Sequence, residues 1–188
     1  GAPPPGPPRG KPAPRRDLSA GDLHLSRTRL LIDENRLPEA RAALELSFLH
    51  NREDYRAWKL LGEIAMRQDR VEEALSAYET AFRLARFNDL GILRGLLEAA
   101  EKKGSRALVD ARKDEIERLV SAFADAIGRN AHFIALSVNV EELRAVSARL
   151  AVLYPERAEW YGTLATASDA KAAEIRDSIR ARPPGFLW

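Results

Sequence analysis

The chain has 188 residues, 45% hydrophobic and 31% charged, enough for one domain of ordinary size with its own apolar core. It has no cysteine, which excludes disulfide frameworks, thiolate zinc sites, iron–sulfur clusters and cysteine nucleophiles and leaves the redox compartment open. Formal net charge is +2, but Arg9, Lys11, Arg15 and Arg16 stand without an acid in residues 1–16, so the remainder sums to −2. A body that close to neutral argues against a broad nucleic-acid surface. No run approaches the roughly 20 uncharged apolar residues of a spanning helix, and no signal-peptide pattern opens the chain, so it reads as soluble.

Seven of the eleven prolines fall in the first fourteen residues, among Gly, Ala, Arg and Lys. Residues 1–18 therefore read as a disordered, basic linker with polyproline II character. The start at Gly1-Ala2, with Met66 the one methionine, reads as a fragment or processed form. Four cations on a Pro-rich tether suit the cytoplasmic side of a membrane, with the anchor in a missing N-terminal segment.

From Asp17 onward Ala, Leu, Arg and Glu dominate and no alternating β-branched run occurs, which predicts an all-α fold. Asp17 or Ser19 caps a first helix over about 20–33, and Pro38 lies in the first turn of a second over about 37–50. Helices over 54–68 and 71–86 follow, then one opened by Asn88-Asp89 and ended by Gly104. Ser105 caps a long helix to about Ile127, closed by Gly128. Residues 129–138 read as a short helix. Asn139 with Glu142 forms a capping-box-like start for a helix to Tyr154, halted by Pro155. A last pair, about 156–167 and 169–181, ends at Pro183-Pro184.

A shift of 34 residues aligns Arg36-Leu37-Pro38-Glu39-Ala40 with Arg70-Val71-Glu72-Glu73-Ala74, then Ala43 with Ala77, Glu45 with Glu79 and Phe48 with Phe82. A period of that length points to stacked helix hairpins sharing a continuous core. Within residues 55–88, Trp58, Leu61, Gly62, Ala74, Tyr78 and Ala81 set small side chains where two antiparallel helices cross and large ones where the gap to the next hairpin must be filled. In these positions the segment closely resembles the tetratricopeptide repeat family. It departs at Ala65, where an aromatic is usual, and at Arg86, where a proline is common. Residues 21–54 are a weaker copy, with Ala40, Leu44 and Ser47 in place but His24, Arg27 and Thr28 at the Trp, Leu and Gly positions. That half-match suits an end repeat whose outer side faces water. Beyond 88 the period is lost, and Pro155, Trp160, Tyr161, Leu164 and Ala165 are a faint further echo. The resemblance implies a right-handed α-solenoid over 19–104, completed by divergent helices over 105–181.

Little in the sequence carries catalysis. His24, His50 and His132 lack partners at metal-ligand spacing, and phosphate-binding glycine loops and nucleophile elbows are absent. Glu72, Glu73, Glu98, Glu101, Asp114, Glu115 and Glu117 interleave with basic residues as solvated helix faces do. No catalytic, metal or cofactor residue is assigned, and an enzyme with an unrecognised carboxylate site ranks low.

The resemblance instead implies a concave binding groove lined by the first helix of each hairpin. It places there Arg29 and Asp33, then Arg56, Lys59, Glu63 and Arg67, then Leu93, Arg94 and Leu97. Such a groove fits an acidic or amphipathic segment of another protein. The carboxylate clamp of chaperone-binding relatives is not matched, since Leu25, Arg29, Leu60, Leu90 and Arg94 occupy its positions and only Arg94 agrees. The terminal Phe186, Leu187 and Trp188 in segment 182–188 either cover the last hairpin or dock into a partner.

The expectation is a non-enzymatic adaptor of a membrane-associated bacterial assembly of the secretion or exopolysaccharide-export type, at the cytoplasmic face of the inner membrane. The alternative locations are periplasm and free cytoplasm. The alternative function is a nucleic-acid-binding helical repeat protein using the basic tail, with affinity falling steeply as salt rises.

Overall fold

Ser19 accepts a hydrogen bond from the Asp22 N–H and opens α1 (Ala20–Asp33), so of the two capping candidates Ser19 takes the role. The structure is a computed structural model describing residues 19–128 and 135–180; the linker 1–18 and the tail 182–188 lie outside the described residues. Within them every regular element is helical. After α1 come α2 (Leu37–His50), α3 (Tyr55–Arg67), α4 (Val71–Leu84) and α5 (Leu90–Lys103). Asp54 caps α3 and Asp89 caps α5 through their carboxylates, and Gly104, at φ 69°, closes α5 in the left-handed region.

The 34-residue period is written into the backbone. At the end of α1, the N–H groups of Glu34, Asn35 and Arg36 donate to the carbonyls of Leu30, Ile32 and Leu31. At the end of α3, those of Gln68, Asp69 and Arg70 donate to Ile64, Met66 and Ala65, the same set displaced by 34. Asn35 and Asp69 both adopt positive φ, 58° and 60°, which these two residue types tolerate better than most. Local turn chemistry thus sets two hairpins in one register.

Each hairpin packs on the next. α1 lies against α2 and α3 against α4, while α2 meets α3 and α4 meets α5; α1 also touches α3, and α3 touches α5. α1, α3 and α5 accordingly form one row. Ala57 and Ile64 of α3 are fully buried in a cluster with Leu25, Leu31, Ile32, Ala40 and Leu44 from the preceding hairpin.

Tyr78 locks the next junction. Its ring lies between Gly62 of α3 and Gly95 of α5: a Cβ on Gly62 would come within 2.7 Å of it, and one on Gly95 within 2.5 Å. The small residue at 62 is therefore required by the ring of its own hairpin, and Gly95 is required by the same ring from the other side. Trp58 is half-buried, tilted against Phe48 at 4.9 Å, with its indole N–H donating to the Arg52 carbonyl. At the weaker copy's Gly position, Thr28 is buried and its hydroxyl donates to the His24 carbonyl.

The second half departs from the sequence expectation in three places. The long helix from Ser105 is instead a short α6 (Ala107–Asp110) and a separate α7 (Lys113–Gly128). Between them the Arg112 N–H bonds only three residues back, to Val109, and its guanidinium reaches Glu79 of α4 while lying over the Phe87 ring. α8 (Ala135–Leu153) begins before Asn139, so the expected capping box lies inside the helix; residues 135–138 of the expected short helix are its first turn, and 129–134 lie outside the described residues. After a 3₁₀ turn at Pro155–Arg157, α9 (Ala158–Arg180) runs unbroken where two helices were expected. No Gly or Pro interrupts it after Gly162, and Thr163 and Thr166 return their hydroxyls to the Glu159 and Gly162 carbonyls.

α8 packs on α5 as well as on α9. Val140, Leu143, Val146 and Leu150 of α8 share one buried cluster with Ile92, Leu93, Leu96 and Leu97 of α5. Among the described residues no helix is long and apolar enough to cross a membrane.

Candidate functional site

The row α1, α3, α5 places most of the groove residues on one surface, and α8 extends it. Arg29 grips Glu63 with two hydrogen bonds, 3.0 and 2.7 Å, and lies 3.6 Å from Asp33 one turn on. Arg67 donates to the same Glu63 and, at 2.9 Å, to the Ile32 carbonyl at the end of α1. Arg56 joins Asp54 and Asp22, Lys59 lies 3.4 Å from Asp89, and Arg94 reaches Glu142 of α8 at 2.6 Å and Glu98 of its own helix at 3.1 Å. Arg149 of α8 closes the far end on Glu98 and Glu101.

The resemblance implies cations facing a partner. The structure gives each a carboxylate from its own chain, so the surface is a ribbon of alternating charge. The pairings span helices, so they also hold the row together: Asp22 with Arg56 and Arg29 with Glu63 are each separated by 34 residues. On the other helix of each hairpin, Arg41 clasps Glu73 at 2.7 and 2.9 Å.

Protonation follows the pairing. Burial works to raise Glu63, but hydrogen bonds from Arg29 and the charges of Arg29 and Arg67 outweigh it and hold the carboxyl below its ordinary range. The Arg41 hydrogen bonds hold Glu73 low as well, and Ser19 and Arg56 do the same for Asp22. Tyr78 is pushed upward by burial and by the negative charges of Glu63 and Glu98, so it stays a neutral phenol at the middle of the ribbon.

Leu93 and Leu97 must be moved. Both are fully buried among α8 side chains, so they belong to the core and line no open groove. The sequence reading missed this because α8 follows a stretch in which the period is lost. It also missed Glu142 and Arg149, which complete the ribbon; Glu142 stood out only as part of a capping box. Phe186, Leu187 and Trp188 lie outside the described residues.

Chemically the ribbon offers hydrogen-bond donors. An arginine carries five N–H groups, and Arg29, Arg67 and Arg94, each about 40% exposed, spend only some of them internally. Among the described residues, no three His, Asp or Glu side chains converge as metal ligands. Surface depressions among the described residues include one of about 350 Å³ with Asp22, His50, Asp54 and Arg56, and one of about 760 Å³ between α7 and the start of α9 with Asp114, Glu117, Arg157 and Trp160. No family model matches the chain, and no curated protein matches it in sequence.

Proposed function

We propose that the protein is a non-enzymatic adaptor of tetratricopeptide type, a right-handed helical solenoid whose α1–α3–α5 face binds a segment of another protein. The half-exposed row Arg29, Arg67 and Arg94, with N–H donors left over from internal pairing, is the observation that supports this reading most. A purely acidic segment would have to compete with Glu63 and Glu142 for the same guanidiniums. An amphipathic segment of mixed charge avoids that competition by adding to the ribbon while leaving its pairs intact. The cationic, proline-rich residues 3–16 suit the setting suggested by the resemblance, a bacterial membrane-associated export or secretion assembly, by attraction to anionic lipid.

Affinity capture with the full chain, followed by binding measurements on Lys59→Glu, Arg67→Glu and Arg94→Glu, tests the surface. The captured partner is expected to bind each variant at least several-fold more weakly. Equal binding to all three removes the ribbon as the site. Loss of binding only when residues 1–16 are deleted, with nucleic acid in place of protein and steep salt dependence, would favour the alternative nucleic-acid function.

A further inference from the structure

The described residues bury three tyrosines, and two of them spend their hydroxyls inside the molecule. Tyr154 donates to Asp110 at 2.6 Å and Tyr161 to Glu117 at 3.5 Å. Tyr78 is 7% exposed, and among the described residues its hydroxyl has no hydrogen-bond partner. A polar group that deep is normally paired. It is not sealed in either, since the enclosed side-chain polar atoms without a partner there are Arg41 Nε and Ser147 Oγ. The phenol oxygen therefore reaches the surface.

The two glycines show where it emerges. A Cβ on Gly62 would lie 2.8 Å, and one on Gly95 2.5 Å, from the ring carbon that bears the hydroxyl. The ring tip thus passes between α3 and α5 at a level where both helices lack a side chain. Glu63 follows the first glycine and Arg94 precedes the second, and the charges of Glu63, Glu98, Arg94 and Arg29 all act on the phenol. The hydroxyl is accordingly aimed into the middle of the ribbon. Packing needs the ring, which phenylalanine would supply equally; the oxygen is unused by the fold.

That setting selects the acceptor. Glu63 is shared by Arg29 and Arg67, and Glu98 by Arg94 and Arg149, so an anion brought to the phenol would meet two carboxylates already in place. A neutral carbonyl meets no such repulsion and accepts from an O–H donor. We propose that the Tyr78 hydroxyl donates a hydrogen bond to a main-chain carbonyl of the bound segment, fixing its backbone at the centre of the ribbon while Arg29, Arg67 and Arg94 meet its side chains. This contact rests on the reading of the α1–α3–α5 face as the binding surface and names the group recognised at its centre.

Measurements on the full chain test it. With tyrosine carrying carbon-13 at Cζ, the four tyrosines are followed by NMR, and Tyr78→Phe assigns the signal of Tyr78. Titration with N-acetylglycine methylamide, a neutral probe with amide carbonyls, is expected to shift that signal saturably, and acetate at matched concentration and ionic strength to leave it nearly in place. No shift with the amide, or a larger one with acetate, overturns the proposal. Tyr78→Phe is expected to unfold at the wild-type urea midpoint; a lowered midpoint would mean that the hydroxyl is spent inside the fold, and overturns it too. The partner recovered by affinity capture should bind Tyr78→Phe about three- to tenfold more weakly. If Arg67→Glu and Arg94→Glu weaken that binding and Tyr78→Phe does not, this contact is wrong and the face stands. If none of the three weakens it, the face itself is wrong and the contact falls with it.

Discussion

Residues 19–104 and residues 105–180 solve the same packing problem with different spacing. For links that start in α1–α4 the separation between neighbouring helices is nearly constant: 34 residues for Asp22–Arg56 and Arg29–Glu63, 32 for Arg41–Glu73 and 33 for Glu79–Arg112. For links that start in α5 or later it lengthens to 48 for Arg94–Glu142 and Glu101–Arg149, 44 for Asp110–Tyr154 and 40 for Glu117–Arg157. The kinds of partner are unchanged, mostly a guanidinium and a carboxylate on adjacent helices. The chain between them has grown, through α6, the break at Ala111-Arg112 and residues 129–134. Packing of neighbouring helices survives the loss of sequence period because it depends on which faces meet, and the intervening length costs little.

Four perturbations separate the two parts. The largest effect is expected in the second. Leu143→Ala removes a fully buried side chain shared by α8 and α5 and should cost about 2–5 kcal/mol in urea unfolding. Gly95→Ala comes next, at about 1–3 kcal/mol, because the added methyl meets the Tyr78 ring. Hydrogen exchange should then show α3, α4 and α5 loosening before α9. Tyr154→Phe deletes a 2.6 Å hydrogen bond to Asp110 and should cost about 1 kcal/mol by thermal unfolding. Arg29→Ala removes the corresponding link of the first part; its partial exposure and the salt screening of such pairs limit the loss to about 1 kcal/mol or less.

Acid sharpens the same contrast. Glu63 and Glu73 are held below their ordinary values when folded, so their contribution is complete above the unfolded carboxyl pKa of about 4.3 and fades as pH falls through the lower folded values. Thermal stability should therefore decline from about pH 5 toward pH 3. Glu63→Gln should start lower and decline less steeply.

How much was legible in the sequence follows the same boundary. The first five helices could be read within a residue or two because Ser19, Pro38, Asp89 and Gly104 are local signals that act where they stand. The size pattern at Gly62 and Tyr78 was legible for the same reason. Gly95 was not, since its role depends on a ring seventeen residues earlier in the chain. The break before α7 and the continuity of α9 escaped because Arg112 answers to Glu79 on another hairpin, and because threonine hydroxyls can be satisfied inside a helix. The carboxylates that pair with Arg29, Arg56, Lys59, Arg67 and Arg94 were not legible. A list of arginines shows where cations lie and leaves out the carboxylates that tertiary packing brings to them.

The register of the hairpins around Tyr78 carries the rest of the account, and a double-mutant cycle in urea measures it most directly. If the ring fills the space between α3 and α5, Tyr78→Leu and Gly95→Ala should each destabilise, and the double variant should lose clearly less than the two losses together, because the added methyl occupies room the ring has vacated. Losses that simply add would mean that Tyr78 and Gly95 do not touch, and the stacking of the hairpins described here would be wrong.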